Sequence, residues 1–320
     1  MFGFALKRLF GVAVTLIVAA AIIFFLLDIL PGDPARFMLG INATEDAVAA
    51  LRVELGLDQS AFNRFFGWGA GVIQGDLGIS FSQRMPVSQL MSERLQVSLP
   101  LALSALTLST LIGLPMGIVA AQNRGKFGDS FTMTLAQIGI AIPNFWFAML
   151  LVLAFAVTWR IFPPGGFVPW SENPLVAAKS LVLPAIALAL PQAAILARVM
   201  RTALVDVIQA DFIRTAMAKG LTKKQAIWRH GVRNALLPVL TIMGLQFAFL
   251  IAGTIIVENV FYLPGLGRLI FSAISARDLI VVRSAILVLV AMVIVVMFLV
   301  DLAYAFIDPR IRTGGQSIGN

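Results

Sequence analysis

Six stretches of this chain are apolar over lengths suited to a lipid bilayer, and a fold that left them all in water would be unstable. They cover residues 9–27, 98–121, 131–159, 181–200, 236–257 and 281–306. About 20 residues of helix cross the hydrocarbon layer. Backbone amides there must be satisfied within the segment, so each stretch is expected to be a helix, the third broken at Pro143-Asn144. An even number of crossings returns both termini to one side. Hydrophobic residues make up 59% and charged residues 12% of the chain, and the mean hydropathy is +0.93, which excludes a water-soluble globular domain. The expected fold class is an all-α polytopic membrane protein with six transmembrane helices.

Several chemistries are excluded with it. The chain has no cysteine, and His230 is its single histidine. A disulfide framework, a Cys/His metal site and Cys- or His-based catalysis are therefore ruled out or starved of ligands, His230 reads as a surface or helix-contact residue, and no catalytic or metal residue is assigned. Leu263-Pro264-Gly265-Leu266-Gly267-Arg268 fails as a phosphate loop because no Gly-Lys-Ser/Thr follows. No nucleotide or other cofactor is expected on this chain.

Charge is concentrated between the fourth and fifth apolar stretches, at 206–238. With Arg198 and Arg201 just upstream, this island holds Arg214, Lys219, Lys223, Lys224, Arg229 and Arg233. Two short helices fit it. Asp211 is placed to cap the first, and Gly220 sits where a left-handed residue would end it, after Lys219. Thr222-Lys223-Lys224-Gln225 has the capping-box pattern for the second, with Trp228, Val232 and Ala235 at helical spacing on its apolar face. Placing this island inside, with Lys7, Arg8, Arg124, Lys126, Arg310 and Arg312, puts fourteen of the 24 basic residues there and five of the six lysines. The positive-inside rule then sets both termini in the cytoplasm, Lys179 being the one external lysine.

Arg214-Thr215-Ala216-Met217-Ala218-Lys219-Gly220, followed by Leu221, Arg229-His230, Arg233-Asn234-Ala235 and Pro238, resembles the cytoplasmic coupling loop of ABC importer permeases, in particular the dipeptide and oligopeptide branch. Arg214 and Thr215 replace the first two positions of the general Glu-Ala-Ala-x-x-x-Gly pattern, whereas Ala216 and Gly220 match it. The segments Leu30-Pro31-Gly32-Asp33-Pro34, Leu55-Gly56-Leu57-Asp58-Gln59, Gly75-Asp76-Leu77-Gly78 and Asp308-Pro309-Arg310-Ile311-Arg312 are similar to the same branch. The resemblance implies a type I importer permease architecture with coupling helices. Arg214, Thr215, Ala216, Ala218, Lys219, Gly220 and Leu221 would contact an ATPase. It further implies a second homologous permease subunit, two ATPase subunits that bind ATP and Mg, and an extracytoplasmic substrate-binding protein, all in a bacterial inner membrane. Besides these partners the chain meets membrane lipid, and no nucleic acid. Peptides are the implied substrate; nickel chelates, glutathione, oligosaccharides or opines travel through similar permeases. The rival class is a stand-alone secondary transporter, for which Asp301 in the sixth stretch is thin support.

The remaining assignments concern the outside and the path. Composition divides the chain into 1–97, a first span with a large external loop, and 98–320, a five-helix core. The external loop, 30–97, is slightly acidic and lysine-free, and reads as a structured element or a long spacer. Pro264, Gly265 and Gly267 read as an external gate or re-entrant turn. Pro143, Pro184, Pro191 and Pro238 are expected to break helical hydrogen bonding. Gln137, Asn144, Gln192, Gln246 and Glu258 are candidates for the translocation path; the amides serve equally as interhelical hydrogen-bonding groups.

Overall fold

A computed structural model describes residues 2–29, 34–40, 43–54 and 56–307. The motifs at Leu30-Pro31-Gly32-Asp33, Leu55 and Asp308-Pro309-Arg310-Ile311-Arg312 lie outside these residues. The elements are helical throughout: α1 (Phe2–Asp28), α2 (Pro34–Leu39), α3 (Glu45–Glu54), α4 (Ala61–Gln74), α5 (Val87–Gln122), α6 (Phe127–Ala141), α7 (Asn144–Leu151, continued as a π-helix over Val152–Thr158), α8 (Pro174–Ile208), α9 (Asp211–Ala218), α10 (Lys223–Ala226, with a π-helix over Ile227–Gly231), α11 (Val232–Val260), α12 (Leu266–Ser275) and α13 (Leu279–Ile307). Among the described residues five helical stretches are long and apolar enough to cross a bilayer, and the bent pair α6–α7, taken as one span, makes a sixth. The expected spans are thus present, with longer helices than the apolar runs alone indicated.

The prolines interrupt the hydrogen-bond ladder without all ending a helix. Pro184, Pro191 and Pro238 lie within continuous helices, as do Pro100 and Pro115. Only Pro143 coincides with a break, where α6 and α7 diverge by 97°. A proline removes a single N–H donor, and in a membrane helix packing against neighbours sustains the rest of the ladder.

The described residues divide into two compact units: one holds 98–263 and 296–307, the other those of 2–97 and 264–295. The division therefore differs from the chain-order split at Val97, since Pro264–Val295 groups with the N-terminal part.

In the first unit α8 is the central helix, with 78% of its spanning window buried. Leu196, Met200 and Leu204 of α8 form a core with Ile118 of α5, Ile227, and Ala235 and Val239 of α11. Small residues bring α5 closest. A β-carbon on Gly113 would lie 2.6 Å from the Ala193 carbonyl oxygen, and one on Gly117 would lie 2.5 Å from that of Ala197. Gly113-Leu-Pro-Met-Gly117 is a Gly-xxx-Gly face. In lipid, where no water is released on association, such backbone proximity is a main source of helix adhesion.

In the second unit the described residues of 30–97 form a structured element and not a long spacer. It contains α2, α3, α4 and the first turns of α5. Phe65 and Trp68 of α4 meet Phe24 of α1 with ring centroids 5.5 and 5.7 Å apart, and Phe62 meets Phe25 at 5.6 Å. Leu266, Leu269, Ile270 and Ala273 of α12 pack with Val87, Leu90 and Met91 of α5 and with Val281, Val282 and Ala285 of α13. Asp278 binds this unit together: its carboxylate accepts from Ser80 Oγ (2.7 Å) and from the amide and hydroxyl of Ser82 (2.9 Å each), and caps α13 at the Val281 amide (3.3 Å).

Candidate functional site

The charged segment forms the helix pair α9–α10. Gly220 has φ +94° and ends α9 with its amide on the Met217 carbonyl, as its position predicts. Thr222 and Gln225 make the complete capping box. Two details differ. Asp211 is the first residue of α9 and makes no capping bond, its carboxylate instead meeting Arg214 at 3.5 Å; a charge there still favours the helix N-terminus. The second helix does not stop, but runs on through the π-turn into α11. That turn inserts an extra residue, so Ile227 takes the buried position and Trp228 is 52% exposed, out of register with Val232 and Ala235.

Ala216 also faces inward. With Ile213 and Ala226 it forms a small core flanked by Val207 and Leu221, which holds α9 against α10. Arg214, Thr215, Ala218, Lys219 and Gly220 are exposed, as are the large apolar side chains of Phe212 (44%), Met217 (37%) and Trp228. A buried Ala216 means that an acid placed there would break the pair's own packing, so partner contact is better probed at the exposed residues. Space around Gly220 is open, with nothing within 4 Å of a β-carbon. Its substitution is therefore a backbone test. Gly220→Val is expected to cost about 1–3 kcal/mol and Gly220→Asn less, because Asn tolerates positive φ. Thermal unfolding of the purified chain should rank glycine, asparagine, valine in falling midpoint.

The basic island is less free than its composition indicates. Arg201 Nε and Nη2 bind the Asp129 carboxylate at 2.5 and 2.7 Å, and the Gly125 amide donates to the same carboxylate at 3.0 Å. Asp129 is buried at the start of α6. This bidentate pair ties α8, upstream of the α9–α10 segment, to the α5–α6 turn. Arg198 Nη2 donates to Gln137 Oε1 at 2.8 Å. Asp129 had no distinguishing pattern in the sequence; its partner lies 72 residues away.

Three of the path candidates are buried in the first unit. Gln246 and Glu258 lie with Thr254 on one stripe of α11 at four-residue multiples, and Gln192 is on α8. Gln246 Nε2 donates to the Gln192 carbonyl at 2.8 Å, joining α11 to α8, while the two side-chain oxygens have no donor among the described residues. Ser98 Oγ donates to Glu258 at 2.5 Å. Asn144 is half-buried beside Gly253 of α11, its Nδ2 3.7 Å from where a β-carbon there would stand, and Gln137 is exposed on α6. Thr254 was missed by inspection of sequence, although its spacing from Gln246 and Glu258 carries the signal. Asp301, half-buried on α13, is not left without an interaction.

Pro264, Gly265 and Gly267 lead into α12, in the second unit. Arg94 Nη1 reaches the Pro264 carbonyl at 3.5 Å, Gly265 caps α12 in an extended conformation, and Gly267 is buried on its inner face. The segment is a short packed helix between α11 and α13. In the first unit, the Gly165-Gly166 turn closes on the end of α11, with the Gly166 amide 2.9 Å from the Phe261 carbonyl.

The same architecture is found in solved transporters. The inward-facing MetNI methionine ABC transporter matches 69% of this chain and 97% of its own, with a TM-score of 0.55 at 18% identity. An amino acid ABC transporter crystallised with histidines matches 68% of this chain and 94% of its own, with a TM-score of 0.53 at 17% identity. Among sequences, a peptide transport system permease protein of Brucella abortus (strain 2308) is 42% identical over 312 residues, 98% of this chain and 99% of its own. The glutathione transport system permease protein GsiC of Escherichia coli (strain K12) is 37% identical over the same coverage. Residues 113–313 match the model of the binding-protein-dependent transport system inner membrane component, and residues 1–102 match its N-terminal companion. With the helical fold, the bent third span and the helix pair between α8 and α11 already in place, this chain belongs to the family of binding-protein-dependent transport system inner membrane components, the permeases of ABC importers.

Proposed function

We propose that this permease forms part of the path for peptides, delivered by an extracytoplasmic binding protein and driven by two ATPase subunits that hold ATP and Mg, with a second, homologous permease completing the path. The observation that carries the reading is the α9–α10 pair: a capped unit with its own small core, continuous with α11, that presents Phe212, Met217 and Trp228 among exposed basic residues. Exposed large apolar side chains in a polar segment mark a protein contact. Placing this pair in the cytoplasm, with both termini, follows from its lysines and arginines. An ATPase seated on the pair moves it as a unit, and α8 and α11 carry the displacement to the buried stripe of Gln192, Gln246, Thr254 and Glu258, where amide and carboxylate oxygens suit the N–H groups of a peptide backbone. Pro264, Gly265 and Gly267 would then serve the external gate. The chain contributes the path, and hydrolysis belongs to the ATPases.

Peptide is favoured as substrate by the Brucella relative, and a second reading, glutathione, by the relative GsiC. Both are compounds with amide bonds, so the acceptor-rich stripe serves either.

Replacing Phe212, Met217 and Trp228 together by serine tests the assignment in the reconstituted complex. The triple variant is expected to accumulate and unfold as the parent does, because the three side chains are solvent-facing, while affinity for the ATPase subunits falls at least about tenfold, as for loss of one hot spot. Hydrolysis stimulated by peptide-loaded binding protein should fall with it. Undiminished stimulated hydrolysis and uptake of labelled peptide would refute the docking role of α9–α10.

A further inference from the structure

Within the second unit, α1, α4 and the start of α13 enclose a cavity of about 470 Å³ lined by Phe24, Asp28, Arg64, Trp68 and Arg283 among others. Three of its lining residues carry a buried N–H donor with no acceptor among the described residues: Arg64 Nε, Trp68 Nε1 and Arg283 Nε. Its acidic residues are already engaged. Asp28 pairs with Arg64 at 2.8 Å, Asp76 accepts from the Gly78 amide, and Asp278 is held by Ser80, Ser82 and the Val281 amide. Arg283 forms no ion pair among the described residues and rests against the rings of Trp68 and Phe24, at 4.6 and 5.0 Å. Aromatic faces stabilise a guanidinium but accept none of its in-plane N–H bonds. A cation without a counter-ion, beside two further orphaned donors, asks for an anion with several acceptor oxygens; a water molecule offers fewer acceptors and no charge.

The place of the cavity selects the ligand. Asp28 ends the span Leu6–Asp28, and Arg283 is four residues into the span Leu279–Ala303, about 6 Å along the helix from its end. Both are at one bilayer surface, at the depth of lipid headgroups. Helix α4 extends an apolar face there: Phe62 (66%), Phe66 (69%) and Ile73 (88%) follow one another at spacings of four and seven, exposed, while Phe65 and Trp68 turn toward α1. A helix of this pattern lies in the interface plane with its apolar side in the acyl boundary. We propose that this cavity is a binding site for the phosphate headgroup of an anionic phospholipid, held by Arg283, Arg64 Nε and Trp68 Nε1, with the acyl chains against the outward face of α4.

Native mass spectrometry of the full-length chain in neutral detergent, with phosphatidylglycerol, phosphatidylcholine or inorganic phosphate added, tests this. Phosphatidylglycerol is expected to bind the parent chain about fivefold more tightly than Arg283→Gln, the ratio set by one basic residue at a charged lipid surface, while phosphatidylcholine does not distinguish them. Arg283→Lys should keep part of the preference, as a point charge without the planar fork. A photoactivatable phosphatidylglycerol should label peptides containing residues 56–68 and 277–283 in the parent chain, a measurement that stands even where the glutamine variant fails to fold. Equal binding by the parent and a folded Arg283→Gln, or label distributed over the lipid-facing helices without enrichment at these peptides, overturns the site. Displacement of the label by millimolar inorganic phosphate overturns the lipid and leaves a soluble anion as the ligand.

Discussion

Gly117→Leu is expected to prevent the chain from accumulating as a folded permease. A β-carbon alone would stand 2.5 Å from the Ala197 carbonyl oxygen and 2.7 Å from Met200 Cβ, and both obstacles belong to the buried central helix α8. Neither is the flexible end of a side chain, so α5 must move away from α8. Overpacking by one or two methylenes costs about 1–3 kcal/mol, and leucine adds more than that at a contact where backbone meets backbone. Gly117→Ala should therefore lower the thermal midpoint measurably and Gly117→Leu should abolish the monodisperse peak in fluorescence-detected size exclusion. Gly11→Ala is the control, since nothing lies within 4 Å of its β-carbon. A folded Gly117→Leu protein with the parent's midpoint would show that α5 and α8 do not meet through this face.

Asp129→Ala should be strongly destabilising. The carboxylate is buried, with a side-chain exposure of 7%, whereas Arg201 retains 27%. Removing one partner of a buried pair leaves the other uncompensated, typically at about 3–5 kcal/mol; the partial exposure of Arg201 puts the expected cost nearer 2–3 kcal/mol. The double variant Asp129→Ala/Arg201→Ala removes both charges, and should lose less stability than the single variants Asp129→Ala and Arg201→Ala lose together. A double variant whose loss equals the sum of the two single losses would deny the coupling. Because the pair fixes α8, which leads into α9–α10, to the α5–α6 turn, the single variant is also expected to weaken peptide-stimulated hydrolysis at temperatures where it remains folded.

The six spans, the Gly220 stop and the Thr222–Gln225 box were all legible in the sequence, because each rests on local physics. Apolar length, a residue that accepts positive φ and a three-residue side-chain reach need no knowledge of the fold. The resemblance at Arg214–Gly220 was legible for the same reason, being a contiguous run. What the sequence could not supply were contacts set by long separations. Asp129 meets Arg201 across 72 residues, and Ser80 meets Asp278 across 198; neither residue stands out among its neighbours. The exposure of Trp228 depends on a π-turn that shifts the register by one residue, which periodicity read at 3.6 per turn places wrongly, and the inward turn of Ala216 depends on the packing of α9 against Ala226, which no local pattern shows. The helices of 30–97 escaped because α4 is stabilised by rings on α1, far back in the chain, and not by a long apolar run of its own. By itself the sequence determined that this protein is a helical membrane permease with a basic helix pair between its fourth and fifth spans. Tertiary structure alone decided which of its charges are paired, which small residues bring helices together, and which side chains remain free to meet a partner, since burial is a property of what packs against a residue and not of the residue.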